Sequence, residues 1–276
     1  MLELKNVDFG YNNKMLFENL NLSLDSGHIY GLLGRNGAGK TTLLKNMVGL
    51  AFPKKGSSRL NGISTSKRVP KVLEMIFFLS EEIYVPPLTA TEFLQKTACF
   101  YPKFSEEEYY RNLKIFDVEI DVKMDKLSYG QQKKAMIAFA LATNTVLLVM
   151  DEPTNGLDIP SKVQFRKIIA SSLTEERVII ISTHQVRDLE NLIDAVIVLH
   201  DREIVLNADV EKIGEKILFA LIEEDEDNPN VLYKEENLRG QYAILVNSDQ
   251  SSSKMDLELL FNAITTDTKR LLEVLK

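Results

Sequence analysis

The sequence predicts an α/β fold with a parallel sheet, on the basis of three observations. Short apolar segments rich in β-branched residues recur through the middle of the chain, as expected of strands that are buried on both faces. Segments with apolar residues at helical spacing separate them, and this alternation is typical of a parallel sheet with crossover helices. A glycine-rich stretch, GLLGRNGAGKTTLL at 31–44, lies between one such strand and one such helix.

An antiparallel β subdomain is predicted at the N-terminus. Residues 2–9 alternate loosely between apolar and polar side chains, and residues 19–24 (NLNLSL) alternate clearly. The apolar run HIYGLL at 28–33 then predicts a buried strand, and residues 41–50 have the apolar spacing of a helix. The glycines are therefore expected to connect a strand to a helix.

The middle of the chain predicts a helical subdomain inserted into the sheet domain. A buried strand at 75–79 precedes a segment from 89 to about 125 that is helical in pattern and rich in charged and aromatic residues. We place the subdomain at about 86–130. Beyond it, the pattern predicts one helix and then three buried strands with two helices between them. Their expected positions are 133–142 for the first helix, 145–150, 177–182 and 195–200 for the strands, and 161–173 and 186–192 for the other helices.

The C-terminal quarter of the chain differs in character, and we divide the chain into a domain at 1–208 and an extension at 209–276. The charge run at 223–227 predicts a solvated loop. Residues 231–246 predict a pair of strands, and residues 255–275 predict two amphipathic helices. The extension is therefore expected to be a small α+β unit.

Composition excludes several classes of protein. Hydrophobic residues make up 45% of the chain, which is enough for a large core. The net charge of −7 argues against broad nucleic-acid binding, and the single cysteine, Cys99, excludes an internal disulfide. No apolar run reaches the roughly 18 residues of a membrane span, and the N-terminus lacks the pattern of a signal peptide. We expect a soluble protein that reaches a membrane only through a partner.

The glycine-rich stretch predicts a phosphate-binding site. Residues 34–41 match the pattern G-x-x-x-x-G-K-[ST]. Its glycines let backbone N–H groups converge on a β-phosphate, and the following helix directs its positive dipole end at the same oxygens. Lys40 adds a charge at the β- and γ-phosphates, and Thr41 offers a hydroxyl to Mg²⁺. The predicted ATP-binding residues of this loop are Gly34, Arg35, Asn36, Gly37, Ala38, Gly39, Lys40, Thr41 and Thr42.

Two carboxylates follow a buried strand and complete the predicted chemistry. Asp151 comes directly after the apolar run at 145–150, at the sheet edge where ligands bind in open α/β folds. We predict that it holds Mg²⁺, directly or through a water molecule. Glu152 is then free to take a proton from an attacking water. A dinucleotide-binding dehydrogenase is not supported, because residues 31–37 lack the G-x-G opening.

Further motifs resemble those of the ATP-binding cassette (ABC) ATPases. LSYGQ at 127–131 is similar to the family's signature sequence, and NGLD at 155–158 is similar to its D-loop. STH at 182–184 resembles its switch-histidine loop, and Tyr11 resembles the aromatic residue that stacks on adenine. These ordered motifs extend the resemblance over about residues 2–206.

The resemblance implies a P-loop NTPase core that works as a pair. Two such domains face each other head to tail with two ATP molecules between them, and hydrolysis separates them. Carried onto this chain, Ser128, Gly130 and Gln131 would reach the γ-phosphate bound by the partner, that is, in trans. His184 would contact the γ-phosphate and the attacking water. The implied cofactors are ATP and Mg²⁺, and the implied second copy is this chain or a homologous cassette.

Two residues depart from the family pattern. Glu81 stands where the family usually has a glutamine that touches Mg²⁺ and the water. We predict that it remains a metal ligand with altered metal dependence, although the alignment also allows Glu82 at this position. Tyr129 stands where the signature usually has glycine, and we expect its ring to shape the seam between the two subunits.

The sequence is compatible with three functions. The resemblance favours the ATPase subunit of a bacterial ABC transporter, cytoplasmic and peripheral at the inner face of the membrane. It would power a separate transmembrane permease, which docks near Glu81 and the 89–125 region and is expected to be of exporter type. The alternatives are a soluble ABC ATPase acting on ribosomes or DNA, and a regulatory module that holds ATP without hydrolysing it. The acidic charge opposes the first alternative, and the presence of both Glu152 and His184 opposes the second.

Overall fold

A computed structural model describes residues 1–12, 14–222, 229–237, 240–249, 251–266 and 268–275. Its strands are β1 Leu2–Tyr11, β2 Lys14–Leu24, β3 His28–Leu33, β4 Lys55–Leu60, β5 Ile63–Ser64, β6 Ile76–Leu79, β7 Leu147–Asp151, β8 Val178–Thr183, β9 Ala195–His200, β10 Glu203–Asp209, β11 Ile217–Ile222, β12 Val231–Asn237 and β13 Gly240–Val246. Its helices are α1 Lys40–Met47, α2 Pro70–Leu73, α3 Ala90–Thr97, α4 Glu106–Ile115, α5 Tyr129–Ala142, α6 Ile159–Ser171, α7 Val210–Lys216, α8 Leu257–Thr266 and α9 Thr268–Leu275.

The central sheet has six strands in the order β10-β9-β3-β8-β7-β6. Strands β6, β7, β8, β3 and β9 run parallel, as the alternation of strands and helices predicts. Strand β10, which the sequence did not predict, joins the edge in antiparallel orientation beside β9. Because β3, β7 and β8 are parallel neighbours, the residues that follow them meet at one edge of the sheet.

The sheet is covered on both faces, which explains its continuous apolar strands. In β7, Leu148 and Met150 pack in a cluster with α5 and the C-terminal helices. Leu147 and Val149 face the opposite cluster, which contains α1 and the N-terminal strands. Alternate side chains of one strand therefore belong to two separate layers.

The antiparallel subdomain is confirmed and is larger than predicted. Its strand order is β2-β1-β4-β5, with β1 antiparallel to both β2 and β4. Strand β2 begins at Lys14, five residues before the predicted start. Strand β4 (KGSSRL) was missed because it has few apolar residues and no clear alternation. It is a strand because it pairs with β1.

Two helix predictions were inexact for local reasons. Helix α5 begins at Tyr129, four residues before the predicted start, because the hydroxyl of Ser128 accepts a hydrogen bond from the backbone N–H of Gln131 and caps the helix. The helix predicted at 186–192 is wrong: only a short 3₁₀ turn forms, at Val186–Leu189. The chain leaves it through Asn191, whose φ of 60° is incompatible with helix.

The C-terminal part forms a three-stranded sheet of order β11-β13-β12 with helices α7, α8 and α9. The predicted strand pair and the two helices are present, and β11 is an addition. The charge run at 223–227 lies outside the described residues. Residues of this part, such as Ile213 and Leu260, belong to the same buried cluster as α5. Within the described part of the chain, no helix is both long and apolar enough to cross a bilayer.

Candidate nucleotide-binding site

The glycine-rich loop connects β3 to α1 in a backbone conformation that requires glycine. Gly37 and Gly39 have φ values of 78° and 105°, in the left-handed region. A Cβ atom at Gly39 would also lie 3.1 Å from the ring of Phe17. Helix α1 starts immediately afterwards, at Lys40. The loop therefore presents open backbone at a helix N-terminus, which is the arrangement that binds phosphate.

Lys40 is held at the base of this loop. Its ammonium group donates to the carbonyl oxygen of Gly34 at 2.8 Å and lies 3.9 Å from Glu152 Oε1. The residue is only 7% exposed. Burial lowers the pKa of Lys40, and the neighbouring carboxylates of Glu152, Asp151 and Glu81 oppose this effect. Lys40 is therefore a positive charge that is largely shielded from water and surrounded by carboxylates.

Thr41 and Asp151 come together across the sheet edge, although 110 residues separate them. The Thr41 hydroxyl donates to Asp151 Oδ2 at 2.6 Å. The Ser182 hydroxyl donates to the other carboxylate oxygen of Asp151. Asp151 is 1% exposed, so its carboxylate is fixed by these two hydroxyls. The pair places a hydroxyl and a carboxylate oxygen beside the phosphate loop.

Glu152 lies between Lys40 and His184. Its Oε1 is 2.9 Å from His184 Nδ1, and its side chain is almost completely buried. Its backbone N–H donates to the Ser182 hydroxyl at 3.1 Å, and its φ of 46° is unusual for a residue with a long side chain. Glu152 Oε2 is buried and accepts no hydrogen bond from the described residues. An unsatisfied carboxylate oxygen at this position is suited to accept a proton or a hydrogen bond from a bound molecule.

A cleft of about 600 Å³ joins these groups. The predicted site residues that line it are Tyr11, Arg35, Asn36, Gly37, Gly39, Lys40, Thr41, Thr42, Glu81, Asp151, Glu152 and His184. Gly34 and Ala38 belong to the same loop without lining the cleft. The cleft is also lined by Lys14, Met15 and Leu16, which the sequence did not predict. The turn after Tyr11 was the available signal, since β2 pairs with β1 there and returns past the same opening.

Tyr11 stands at the mouth of the cleft. It is 56% exposed, and its hydroxyl is 3.3 Å from Thr42 Oγ1. Its ring meets Phe9 edge to face at 5.1 Å between centroids. A large, open aromatic ring that is supported from one side can accept a flat ligand on its face.

Glu81, rather than Glu82, lines the cleft. Two contacts fix its position. Asn155 Nδ2 donates to Glu81 Oε1 at 3.0 Å, and the Tyr129 hydroxyl donates to the backbone oxygen of Glu81 at 2.9 Å. The two departures from the family pattern, at Glu81 and Tyr129, are thus in direct contact.

The residues predicted to act in trans lie outside this cleft. Ser128 caps α5, and the backbone N–H of Gln131 donates to its hydroxyl at 3.3 Å. Gln131 Nε2 donates to the backbone oxygen of Asp117 at 3.1 Å. Ser128, Gly130 and Gln131 do not line the cleft of their own chain.

Comparison with known proteins decides the family. The family model for the ABC transporter matches residues 17–155. The chain belongs to the ABC transporter family. It is an ABC ATPase, an ATP-binding subunit that hydrolyses ATP to ADP and phosphate.

Individual relatives of this ABC ATPase cover most of the chain. It is similar to the SkfA peptide export ATP-binding protein SkfE of Bacillus subtilis, with 30% identity over 78% of this chain and 92% of that protein. It is also similar to the bacitracin transport ATP-binding protein BcrA of Enterococcus faecalis, with 30% identity over 78% of this chain and 71% of that protein. Among solved structures, a dimeric ATP-binding cassette in a post-hydrolysis state with ADP and Pi matches with a TM-score of 0.66 and 25% identity, covering 76% of this chain and 99% of that one.

Proposed function

We propose that this ABC ATPase powers a separate transmembrane permease of exporter type by ATP-driven dimerisation. The observation that carries the proposal is the buried Glu152 carboxylate, whose Oε1 lies 2.9 Å from His184 and 3.9 Å from Lys40. Its Oε2 has no hydrogen-bond partner among the residues that the structure describes. Lys40 belongs to the phosphate loop, so the candidate base stands beside the expected γ-phosphate. This arrangement supports hydrolysis and opposes a module that only holds ATP.

Each group in the cleft then has a chemical role. Lys40 and the loop amides bind the phosphates, Tyr11 stacks on the base, Glu152 accepts the proton of the attacking water, and His184 orients that water and the γ-phosphate. The proposed ATP-binding residues remain Tyr11, Gly34, Arg35, Asn36, Gly37, Ala38, Gly39, Lys40, Thr41 and Thr42, with Ser128, Gly130 and Gln131 in trans. The catalytic residues are Glu152 and His184.

We propose Thr41, Asp151 and Glu81 as the residues that hold Mg²⁺. All three offer hard oxygen atoms, and the first two are already 2.6 Å apart. The described residues contain no cluster of three or more acidic, His or Cys side chains able to hold a metal by themselves. This fits Mg²⁺, which typically takes one or two carboxylates and completes its shell with substrate phosphates and water. When bound, the ion would neutralise charge on the β- and γ-phosphates.

Dimerisation is inferred from where the signature residues lie. Ser128 and Gly130 stand at the N-terminal end of α5, outside the cleft of their own chain, and a helix N-terminus attracts phosphate. A second copy in head-to-tail orientation would bring them to the nucleotide. The dimeric, ADP-bound neighbour supports this arrangement.

Export is inferred from relatives whose names concern peptide export and bacitracin transport. These names also favour transport over work on ribosomes or DNA. The permease would dock near Glu81 and the 89–125 region, which places the protein in the cytoplasm at the inner face of the membrane. We further propose that residues 1–208 are the nucleotide-binding domain and residues 209–276 an extension of it.

Steady-state ATP hydrolysis by the purified chain tests this function. Glu152→Gln should lower turnover by at least about 100-fold, because a positioned general base typically contributes that much. The same variant with MgATP should form a dimer by light scattering, since it binds ATP and cannot cleave it. Glu175→Gln, an exposed carboxylate far from the cleft, is the matched control and should retain turnover. Unchanged turnover in Glu152→Gln would remove the assigned base, and a monomer at saturating MgATP would remove the dimer.

A further inference from the structure

Lys133 is a fully buried ammonium group that the mechanism above does not use. It lies one turn into α5, just after the signature segment, and is 0% exposed. Its Nζ donates to the backbone oxygen of Glu152 at 2.7 Å and to that of Asn155 at 3.0 Å. It also lies 5.7 Å from the centre of the Tyr129 ring. In the part of the chain that the structure describes, Lys133 forms no ion pair with a carboxylate.

Burying a charge without an ion pair is unfavourable in free energy, and a neutral side chain of similar size could be buried at this position with a smaller penalty. Burial lowers the pKa of Lys133, while the charges of Glu81, Glu152 and Asp151 favour its protonated form. The ammonium is therefore stabilised by two carbonyl oxygens, an aromatic face and the negative charges of the nucleotide cleft. This combination indicates that Lys133 has a specific role at the Glu152–Asn155 turn.

That turn needs external support. Glu152 has a φ of 46°, a conformation that is strained for a residue other than glycine. Its carbonyl oxygen accepts from Lys133 and, more weakly, from the backbone N–H of Asn155 at 3.3 Å. Lys133 thus holds the first and last carbonyls of the turn that carries the Glu152 carboxylate.

The same turn is connected to the start of α5 by a second route. Asn155 binds the carboxylate of Glu81, and the Tyr129 hydroxyl binds the backbone of Glu81. Tyr129 and Lys133 belong to the same helix. Helix α5 is therefore connected to the turn twice, once through Glu81 and once directly through Lys133. The signature segment and the base of the same chain are therefore held in one hydrogen-bonded network.

We propose that Lys133 is a positioning residue that fixes the Glu152–Asn155 turn to the signature end of α5, so that movement of the signature segment against a partner's nucleotide displaces the base of the chain's own site. The proposal rests on the dimeric function proposed above. It deepens that function, because it names the contact that would link the signature end of α5 to the base of the same chain's site.

Two variants of Lys133 test the proposal. Lys133→Met keeps the length and removes the donors, and it should lower kcat by about 10- to 100-fold, since small displacements of catalytic groups have effects of this size. KM for ATP should change less than about twofold, because the phosphate loop is untouched. Lys133→Gln keeps a neutral donor and should give an intermediate kcat. Lys134→Met, the adjacent lysine whose charge acts on Asp158 instead, should behave as wild type.

Dimer formation separates this proposal from the proposed function. In the Glu152→Gln background, Lys133→Met should still dimerise with MgATP, because the inference concerns the base and not nucleotide binding. Loss of wild-type turnover or dimerisation would contradict the function itself. Wild-type kcat in both Lys133 variants, a fall in kcat matched by Lys134→Met, or failure of both Lys133 variants to fold would each overturn the positioning role alone.

Discussion

Helix α5 has a buried cation at each of its ends. Lys133 lies near its start, beside the nucleotide cleft, and Arg177 lies against its end, at the opposite edge of the sheet. They are 0% and 3% exposed. Arg177 Nη2 donates to the backbone oxygen of Leu141 at 3.2 Å, and its Nη1 donates to that of Ser172 at 3.1 Å. In the hydrogen bonds described, both cations bind backbone carbonyls.

The difference lies in which carbonyls they bind. Those held by Arg177 lie at the ends of two helices, where the last carbonyls have no partner within the helix. Leu141 lies near the end of α5, and its carbonyl also accepts from the backbone N–H of Asn144 at 3.2 Å, whereas Ser172 directly follows α6. Those held by Lys133 belong to an irregular turn that carries Glu152. Hydrogen bonds from a buried cation to carbonyls are therefore expected to serve stability at one edge of the sheet and the geometry of the proposed catalytic base at the other. This division can be tested by measuring both stability and turnover in variants at each end of the helix.

The largest expected effect on stability is that of Arg177→Met. It removes the side-chain donors to the carbonyls of Leu141 and Ser172, of which Leu141 keeps the backbone N–H of Asn144. Relief of the buried charge offsets only part of this loss. We expect the free energy of unfolding to fall by about 1–3 kcal/mol, the usual result of leaving buried polar groups unpaired. The urea midpoint measures it, and turnover per folded molecule should stay within about twofold of wild type.

The pH dependence of this loss has a definite sign. Burial lowers the pKa of Arg177 to about 10, well below its value in the unfolded chain. The cost of burying the charge is therefore constant below about pH 9 and is relieved only as the pH rises through 10. The difference between wild type and Arg177→Met should stay flat from about pH 6 to 9. A fall in turnover at unchanged stability would contradict the division between the two edges.

The sequence was sufficient for the elements and groups that local pattern defines. The glycine loop could be predicted because its spacing and its flanking strand and helix agree. Asp151, Glu152 and His184 could be brought to one edge because each follows a buried strand, and parallel strands end on the same side. The contacts of Thr41 with Asp151 and of Glu152 with His184 follow from that geometry.

The function of Lys133 could not be predicted in this way. In the sequence, it looks like a charged residue at the exposed start of a helix predicted at 133–142. Its burial depends on the earlier start of α5 at Tyr129 and on the turn at Glu152, which comes from another part of the chain. Strands β4 and β10 were missed for a related reason, since pairing with neighbours decides them and their own periodicity is weak.

A smaller effect is expected from Asn155→Ala, which sharpens the comparison at the cleft edge. It deletes the hydrogen bond to Glu81 and leaves the backbone contact with Lys133 in place. One such bond contributes about 0.5–1.5 kcal/mol, so kcat should fall about 2- to 10-fold. Because Glu81 is a proposed Mg²⁺ ligand, ATP turnover should be measured across a titration of MgCl₂, and the half-maximal concentration should shift.

The control comes from the other edge of the sheet. Asn144 Nδ2 donates to Glu108 Oε2 at 2.7 Å near Arg177, and Asn144 has a φ of 48°. Asn144→Gly removes the amide and tolerates this backbone conformation. Its turnover and magnesium dependence should match wild type. Equal effects of the two variants on turnover would show that distance from the cleft does not matter and would remove the role assigned to the turn.

The smallest effect is expected from Arg187→Ala, a cation that is exposed rather than buried. Arg187 Nε lies 2.6 Å from Glu258 Oε2, linking the turn after His184 to helix α8 of the extension. Its side chain is 81% exposed, so water and salt screen the ion pair. Breaking the pair therefore changes the free energy of unfolding very little. The urea midpoint and kcat should both be unchanged within error, at low and at high salt. If kcat changes while the midpoint does not, the extension acts on His184 through this pair. An exposed cation would then matter for turnover, and burial would not separate the cations that affect this enzyme from those that do not.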